Sequence, residues 1–269
     1  MAALPLESAR AAACHAADDA AGVISGFLAR GDWHVTHKAD ASPVTEVDIA
    51  CEQAIHTHLT EALPEAAFYG EETGHSPGEP GERGEKRQLV WLVDPIDGTK
   101  SFVRGMPYYS TQIALEADGE LVLGVSHAPA FNERLVAVRG AGVTIDGEAV
   151  KSSGVTSVDE AFLSAGNLGS LARNPEAWQR YAVLVSRVVR TRGYGDFRHY
   201  HQLCCAQTDL IVESDLNILD IAALTVGVRE AGGVITNLDG EPIDRNTRSV
   251  LAAATPALHA EALALLSGR

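Results

Sequence analysis

Residues 91–107 read WLVDPIDGTKSFVRGMP and place two carboxylates, a glycine and a hydroxyl within the six positions Asp94 to Thr99, directly after an apolar run. Pro95 fixes its own φ and biases Asp94 towards an extended backbone. Asp97-Gly98 is a tight-turn dipeptide, and Thr99 and Lys100 are placed to open a short helix. Ile96 is expected to point into the core, with its carbonyl turned outward. Two carboxylates and a carbonyl then lie close together. Left bare, the charges repel; with one or two Mg²⁺ they become hard oxygen ligands. Two such ions about 3.5–4 Å apart clamp the attacking and leaving oxygens of a phosphoryl transfer. The Gly98 and Thr99 N–H groups at a helix start suit a phosphate. The competing reading is a D-P-x-D-G turn with solvated acids, and a six-residue pattern leaving a buried strand weighs against it.

Further acids would complete the cage. Gly70-Glu71-Glu72 follows a short apolar segment, so Glu71 or Glu72 reaches a cation or lies on the surface. Asp220 opens the run DIAALTVGVREAGG, where it is either a carboxylate N-cap or a ligand. Thr45 and Asp48, in SPVTEVD, have the spacing of a capping box, and Asp48 is also placed to accept a proton from a water held by Thr99. Lys38, in THKAD, either meets a phosphate or lies on the surface.

The elements that must hold these residues are readable from periodicity. The 269 residues suffice for one large domain or two intimately packed ones. Residues 6–30 are Ala-rich and helical. After Ser42-Pro43, apolar residues from Val47 to Leu59 recur at helical spacing, which predicts an amphipathic helix over 44–62. AAFYG predicts a strand ending at Gly70, residues 73–87 a surface loop, and LVWLV (89–93) a fully buried strand. Asp118-Gly119 marks a hairpin, and ERLVAVRG and VTIDGEAV extend an antiparallel sheet. From about residue 150 strands and helices alternate: AFLSAG, a helix from Asn174 to Arg190, TRGYG, a short helix at 199–207, DLIVES, a helix at 219–231, strands near 234 and 250, and a helix at 257–266. That pattern predicts an α/β layer. The fold class is therefore α/β, with an α+β half over about 1–149 and an α/β half over about 150–269 sharing an interface.

Composition narrows the function. There are 21 basic against 36 acidic residues, a net charge of −15, which disfavours nucleic acid and anionic lipid as partners. No run of 18 apolar residues predicts a membrane span. Asp18 and Asp19 come too early for a secretory leader, and the Arg/Ser bias of a transit peptide is missing. Cys14, Cys51, Cys204 and Cys205 form no C-x-x-C and are expected to be reduced and buried in a cytoplasmic protein. The motifs of serine hydrolases, P-loop NTPases and zinc proteases are missing.

GEE, WLVDPIDGTKSF and LDIAALTVGVREAGGVITNLDG, in that order, resemble the inositol monophosphatase superfamily over essentially the whole chain. The resemblance implies a single family domain, 1–269, folded as a layered αβαβα sandwich and paired as a homodimer. It implies a lithium-sensitive, Mg²⁺-dependent phosphatase with two or three ions per site. Glu71, Asp94 and the Ile96 carbonyl would hold one ion, Asp94, Asp97 and Asp220 a second, with Glu71 serving a weaker third. Gly98 and Thr99 would bind phosphate, and Thr99 and Asp48 would orient the nucleophilic water. Members acting on inositol phosphate carry Trp before the last Asp, where this chain has Leu219. DGTKSFVRGMP, RGYGDFRHYHQ and DLIVESDLNILD are more similar to the histidinol-phosphate phosphatase branch. That substrate carries an amine and an imidazole, so Asp196 and Glu213 are candidates for its organic end and Arg104 for its phosphate or a partner chain. Asp196 as a cap of the 199–207 helix is the alternative. His199 and His201 would diverge on a helix and are left out of the site. The expected partner is thus a small phosphorylated metabolite. The alternatives are an inositol-1-phosphate or broad sugar-phosphate phosphatase, a 3'-phosphoadenosine phosphatase, and a non-catalytic binding protein.

Overall fold

The computed structural model describes residues 5–37, 43–78 and 88–268. An eight-stranded and a five-stranded sheet alternate with three layers of helix. The larger sheet contains β3 (Ala67–Gly70), β4 (Gly74–Ser76), β5 (Leu89–Asp97), β6 (Ser110–Ala117), β7 (Glu120–Ala128), β8 (Glu133–Val138), β9 (Gly142–Ile145) and β10 (Glu148–Ala149), in the order β10-β9-β8-β7-β6-β5-β3-β4. The smaller contains β11 (Phe162–Gly166), β12 (Arg190–Arg192), β13 (Leu210–Ser214), β14 (Val234–Thr236) and β15 (Ser249–Ala253), ordered β12-β11-β13-β15-β14. A separate ribbon pairs β1 (Val35–His37) with β2 (Pro43–Thr45).

Alternation along β5 explains the layering. Val90 and Leu92 face one core cluster while Leu89, Trp91 and Val93 face another, as a period of two requires. The second cluster is filled by α1 (Leu6–Arg30) and α2 (Glu46–Ala62). The first is filled by α6 (Asp196–Cys204) and α7 (Ile218–Glu230), which also meet Ile211 of β13 and Val250 and Ala252 of β15. A third cluster joins the far face of the five-stranded sheet to α4 (Gly169–Arg173), α5 (Pro175–Arg187) and α8 (Pro256–Ser267). The expected αβαβα sandwich is the observed architecture. Helix α7 is buried from Ile218 to Val228 on nearly every side, as befits an all-round apolar helix between two sheets.

Several boundaries differ from those expected. β5 runs past Val93 to Asp97, with a bulge between Asp94 and Asp97. β3 pairs with β5 in parallel, so the first half is not purely antiparallel. Gly74–Ser76, expected in a loop, pairs with β3 as β4; residues 79–87 of that stretch, like Lys38, lie outside the described residues. The TRGYG strand stops at Arg192, α5 stops at Arg187, and α6 begins at Asp196 rather than 199. The sheets divide near residue 150, yet α6 and α7 from the second half pack on the sheet of the first. The four cysteines are free; Cys51 and Cys204 are buried, whereas Cys14 and Cys205 are half-exposed.

Candidate active site

The end of β5 builds one wall of the site from local contacts. Asp94 Oδ1 accepts the Ile96 N–H at 2.9 Å, and Thr111 Oγ1 donates to the Pro95 carbonyl at 2.9 Å. These bonds hold the bulge open. Ile96 buries its side chain and leaves its carbonyl 2.9 Å from Thr99 Oγ1. Asp97 Oδ2 accepts from Ser110 Oγ at 3.3 Å. Gly98 then turns with φ +89°, a left-handed conformation that disfavours any side chain. A Cβ there would also stand 2.5 Å from the Tyr108 carbonyl. Helix α3 (Thr99–Val103) starts directly afterwards.

Two longer helices aim carboxylates at this wall through their caps. Thr45 is the N-cap of α2, and Asp48 completes the capping box, accepting the Thr45 N–H at 2.8 Å. The other oxygen of Asp48 lies 3.1 Å from Thr99 Oγ1. The single Thr99 proton serves either Asp48 or the Ile96 carbonyl at one time. Asn217 is the N-cap of α7, and Asp220 is the third residue in, accepting the Asn217 N–H at 2.7 Å. Asp220 is therefore not itself the N-cap. In both helices the cap and the site use the same carboxylate, so the two sequence readings are compatible.

One oxygen each of Asp94, Asp97 and Asp220 lie within 4.8 Å of one another. Burial, then the charges of Glu71, Asp97 and Asp220, pushes Asp94 well above the ordinary carboxylate range. Burial, then Asp196, Asp220 and Glu213, does the same to Asp97. Asp220 is pushed up to about 7, chiefly by burial. Buried acids that oppose one another's ionisation either take up protons or are compensated by a cation. Hard oxygen donors at this spacing fit Mg²⁺ or a similar divalent ion. Glu71, on the turn after β3, lines the same cavity of ≈ 510 Å³, as do Ile96, Gly98 and Thr99.

Further acids come from α6 and β13. Asp196 starts α6 after Gly195, the N-cap, and is pushed up to about 6 by burial and by the charge of Glu213. Glu213, buried on β13, accepts from Tyr200 Oη at 2.8 Å and lies 3.1 Å from His199 Nε2. Asp196 and Glu213 line a recess of ≈ 20 Å³ with Asp97 and Asp220. His199 thus reaches a site-lining acid, although the sequence reading left it out. His201 does diverge, its ring nitrogens lying 2.7 Å from Glu133 Oε1 and 2.8 Å from Ser126 Oγ. Arg104 is exposed at the C-cap of α3, and Lys100 supplies the cation that α3 adds to the cavity. Asn167 and Asp215 also line it and were missed. Both have left-handed backbone, with φ of +47° and +57°, which Asn and Asp adopt readily, so no sequence signal set them apart.

Comparison with known proteins identifies the family of the chain. The model of the inositol monophosphatase family matches residues 6–268. A histidinol-phosphatase of Mycobacterium tuberculosis (strain ATCC 25618 / H37Rv) is 40% identical over 214 residues, covering 78% of this chain and 79% of the relative. One from Streptomyces coelicolor is 36% identical over 248 residues, covering 88% and 89%. The solved inositol monophosphatase of Zymomonas mobilis superposes with a TM-score of 0.81 at 30% identity, covering 98% of this chain and 100% of that one. The chain belongs to the inositol monophosphatase family, a family of phosphoric monoester hydrolases.

Proposed function

We propose that this protein is a Mg²⁺-dependent phosphomonoesterase that hydrolyses L-histidinol phosphate to L-histidinol and phosphate. The observation that carries this reading is an acidic cavity lined by Glu71, Asp94, Asp97, Asp196 and Asp220, with a small adjoining recess that Glu213 lines. Asp97, Asp196 and Asp220 line both the cavity and the recess and so connect them. Bound Mg²⁺ supplies a Lewis acid that polarises the phosphoryl oxygens and acidifies water. Asp94, Asp97, Asp220, Glu71 and the Ile96 carbonyl would hold it. The Gly98 and Thr99 N–H groups receive the phosphate. Thr99 orients the attacking water and Asp48 takes its proton. Attack is in line: a water oxygen bonds to phosphorus, the ester P–O bond breaks, the leaving alkoxide takes a proton from solvent water, and the proton on Asp48 returns to solvent. Asp196 and Glu213 face the amine and imidazole of the substrate, which an uncharged polyol lacks.

The test is phosphate release from a panel of monoesters, with Mg²⁺ and with EDTA. Release from L-histidinol phosphate well above that from inositol 1-phosphate is expected, with inhibition by Li⁺. The reverse preference would move the chain to an inositol-1-phosphate phosphatase, a reading favoured by its likeness to the Zymomonas mobilis structure.

A further inference from the structure

Glu52 lies one helical turn beyond Asp48 on α2, and its side chain is fully buried. Its Oε2 accepts the Glu72 N–H at 2.8 Å and its Oε1 the Thr73 N–H at 2.8 Å. Among the described residues these two amides are its hydrogen-bond partners, and no cation forms an ion pair with it. A buried carboxylate is tolerated only where hydrogen bonds compensate it, so the two amides hold it in place. The backbone of β3 is shaped to receive it: a Cβ on Gly70 would stand 2.5 Å from the Glu52 carboxylate.

Glu71 lies between Gly70 and the two clamped amides. Its own N–H is tied to the Val93 carbonyl of β5 at 3.1 Å. Three consecutive amides, those of Glu71, Glu72 and Thr73, are thus fixed, one by the strand that carries Asp94 and two by the helix that carries Asp48. We infer that Glu52 is a positioning residue for Glu71. It registers the turn after β3 against α2, so that Glu71 meets the cavity together with Asp94 and Asp220. This inference rests on the reading that those acids hold divalent cations. In consequence, one helix sets both Thr99, through Asp48, and Glu71, through Glu52.

The test is calorimetric titration of metal-free full-length protein with Mg²⁺. Glu52→Gln keeps the size of the side chain but offers one acceptor oxygen to two N–H groups. It is expected to weaken Mg²⁺ binding about tenfold or more, the range seen when groups that orient metal ligands are changed. Gly70→Ala crowds the same carboxylate from the other side and carries the test if Glu52→Gln fails to fold. Wild-type Mg²⁺ affinity in the folded variants overturns the inference, as does a lowered melting temperature of the metal-free protein with affinity unchanged. If the wild-type chain itself binds no Mg²⁺, the cation reading fails first and the inference falls with it.

Discussion

Asp94 stands where three other carboxylates oppose its ionisation, those of Glu71, Asp97 and Asp220. The charge that makes it a good donor to a cation makes it a liability without one. Asp94→Asn should therefore act in opposite senses on activity and stability. Phosphate release is expected to fall to background, because one hard anionic donor is gone. In EDTA, the melting temperature should hold or rise, since a source of repulsion has been removed. A variant that loses activity by unfolding would show the opposite thermal shift. Thr99 illustrates a second kind of economy: its one hydroxyl touches both Asp48 and the Ile96 carbonyl. That contact couples the helix start of α3 to the acid of α2.

Caps do more than end helices here. The boxes at Thr45 and Asn217 each hold an inward carboxylate by bonds from the N-cap residue. Thr45→Ala should cost about 0.5–2 kcal/mol of stability, read from urea denaturation. It should also lower turnover by more than that loss of stability explains, because Asp48 loses its Thr45 Oγ1 contact of 2.5 Å. Among strands, β5 matters most, since all nine of its residues are buried. Its bulge takes Pro95 and Ile96 out of register with β6, while Asp94 and Asp97 stay paired with Gln112 and Ser110.

For the molecule as a whole, cation binding and folding should be linked. Mg²⁺ at one hundred times its dissociation constant is expected to add about 2.7 kcal/mol, seen as a rise in melting temperature that EDTA reverses. Acid acts through the contact of α6 with the larger sheet. Glu133 on β8 is held down to about 2, first by the hydrogen bond from His201 and further by Arg198, whose Nη1 lies 2.6 Å from Oε1. A depressed carboxylate stabilises the fold above its unfolded value, about 4, and that stability is lost as pH falls through about 2. Burial holds the His201 ring below its usual value, so charging it in acid opposes folding as well. Glu133→Gln should thus lower stability at pH 7 by about 1.5–3 kcal/mol. The deficit relative to wild type should shrink towards pH 2, measured by denaturation across pH.

The amino-acid sequence by itself determined the tight turn at Asp97-Gly98, the capping box at Thr45 and the helix that carries Asp220. In each, the interacting groups lie within one helical turn or one tight turn, or the pattern repeats along one element, so short-range sterics and periodicity suffice. It also named Asp196 and Glu213 as candidates, through a family resemblance rather than through spacing. Tertiary packing alone decided that Glu52 clamps the Glu71 turn and that His199 and Tyr200 brace Glu213. It likewise decided that β3 runs parallel to β5. Those contacts join separate elements, and no local preference of Glu52 or His199 announces a partner that only the stacking of layers brings near.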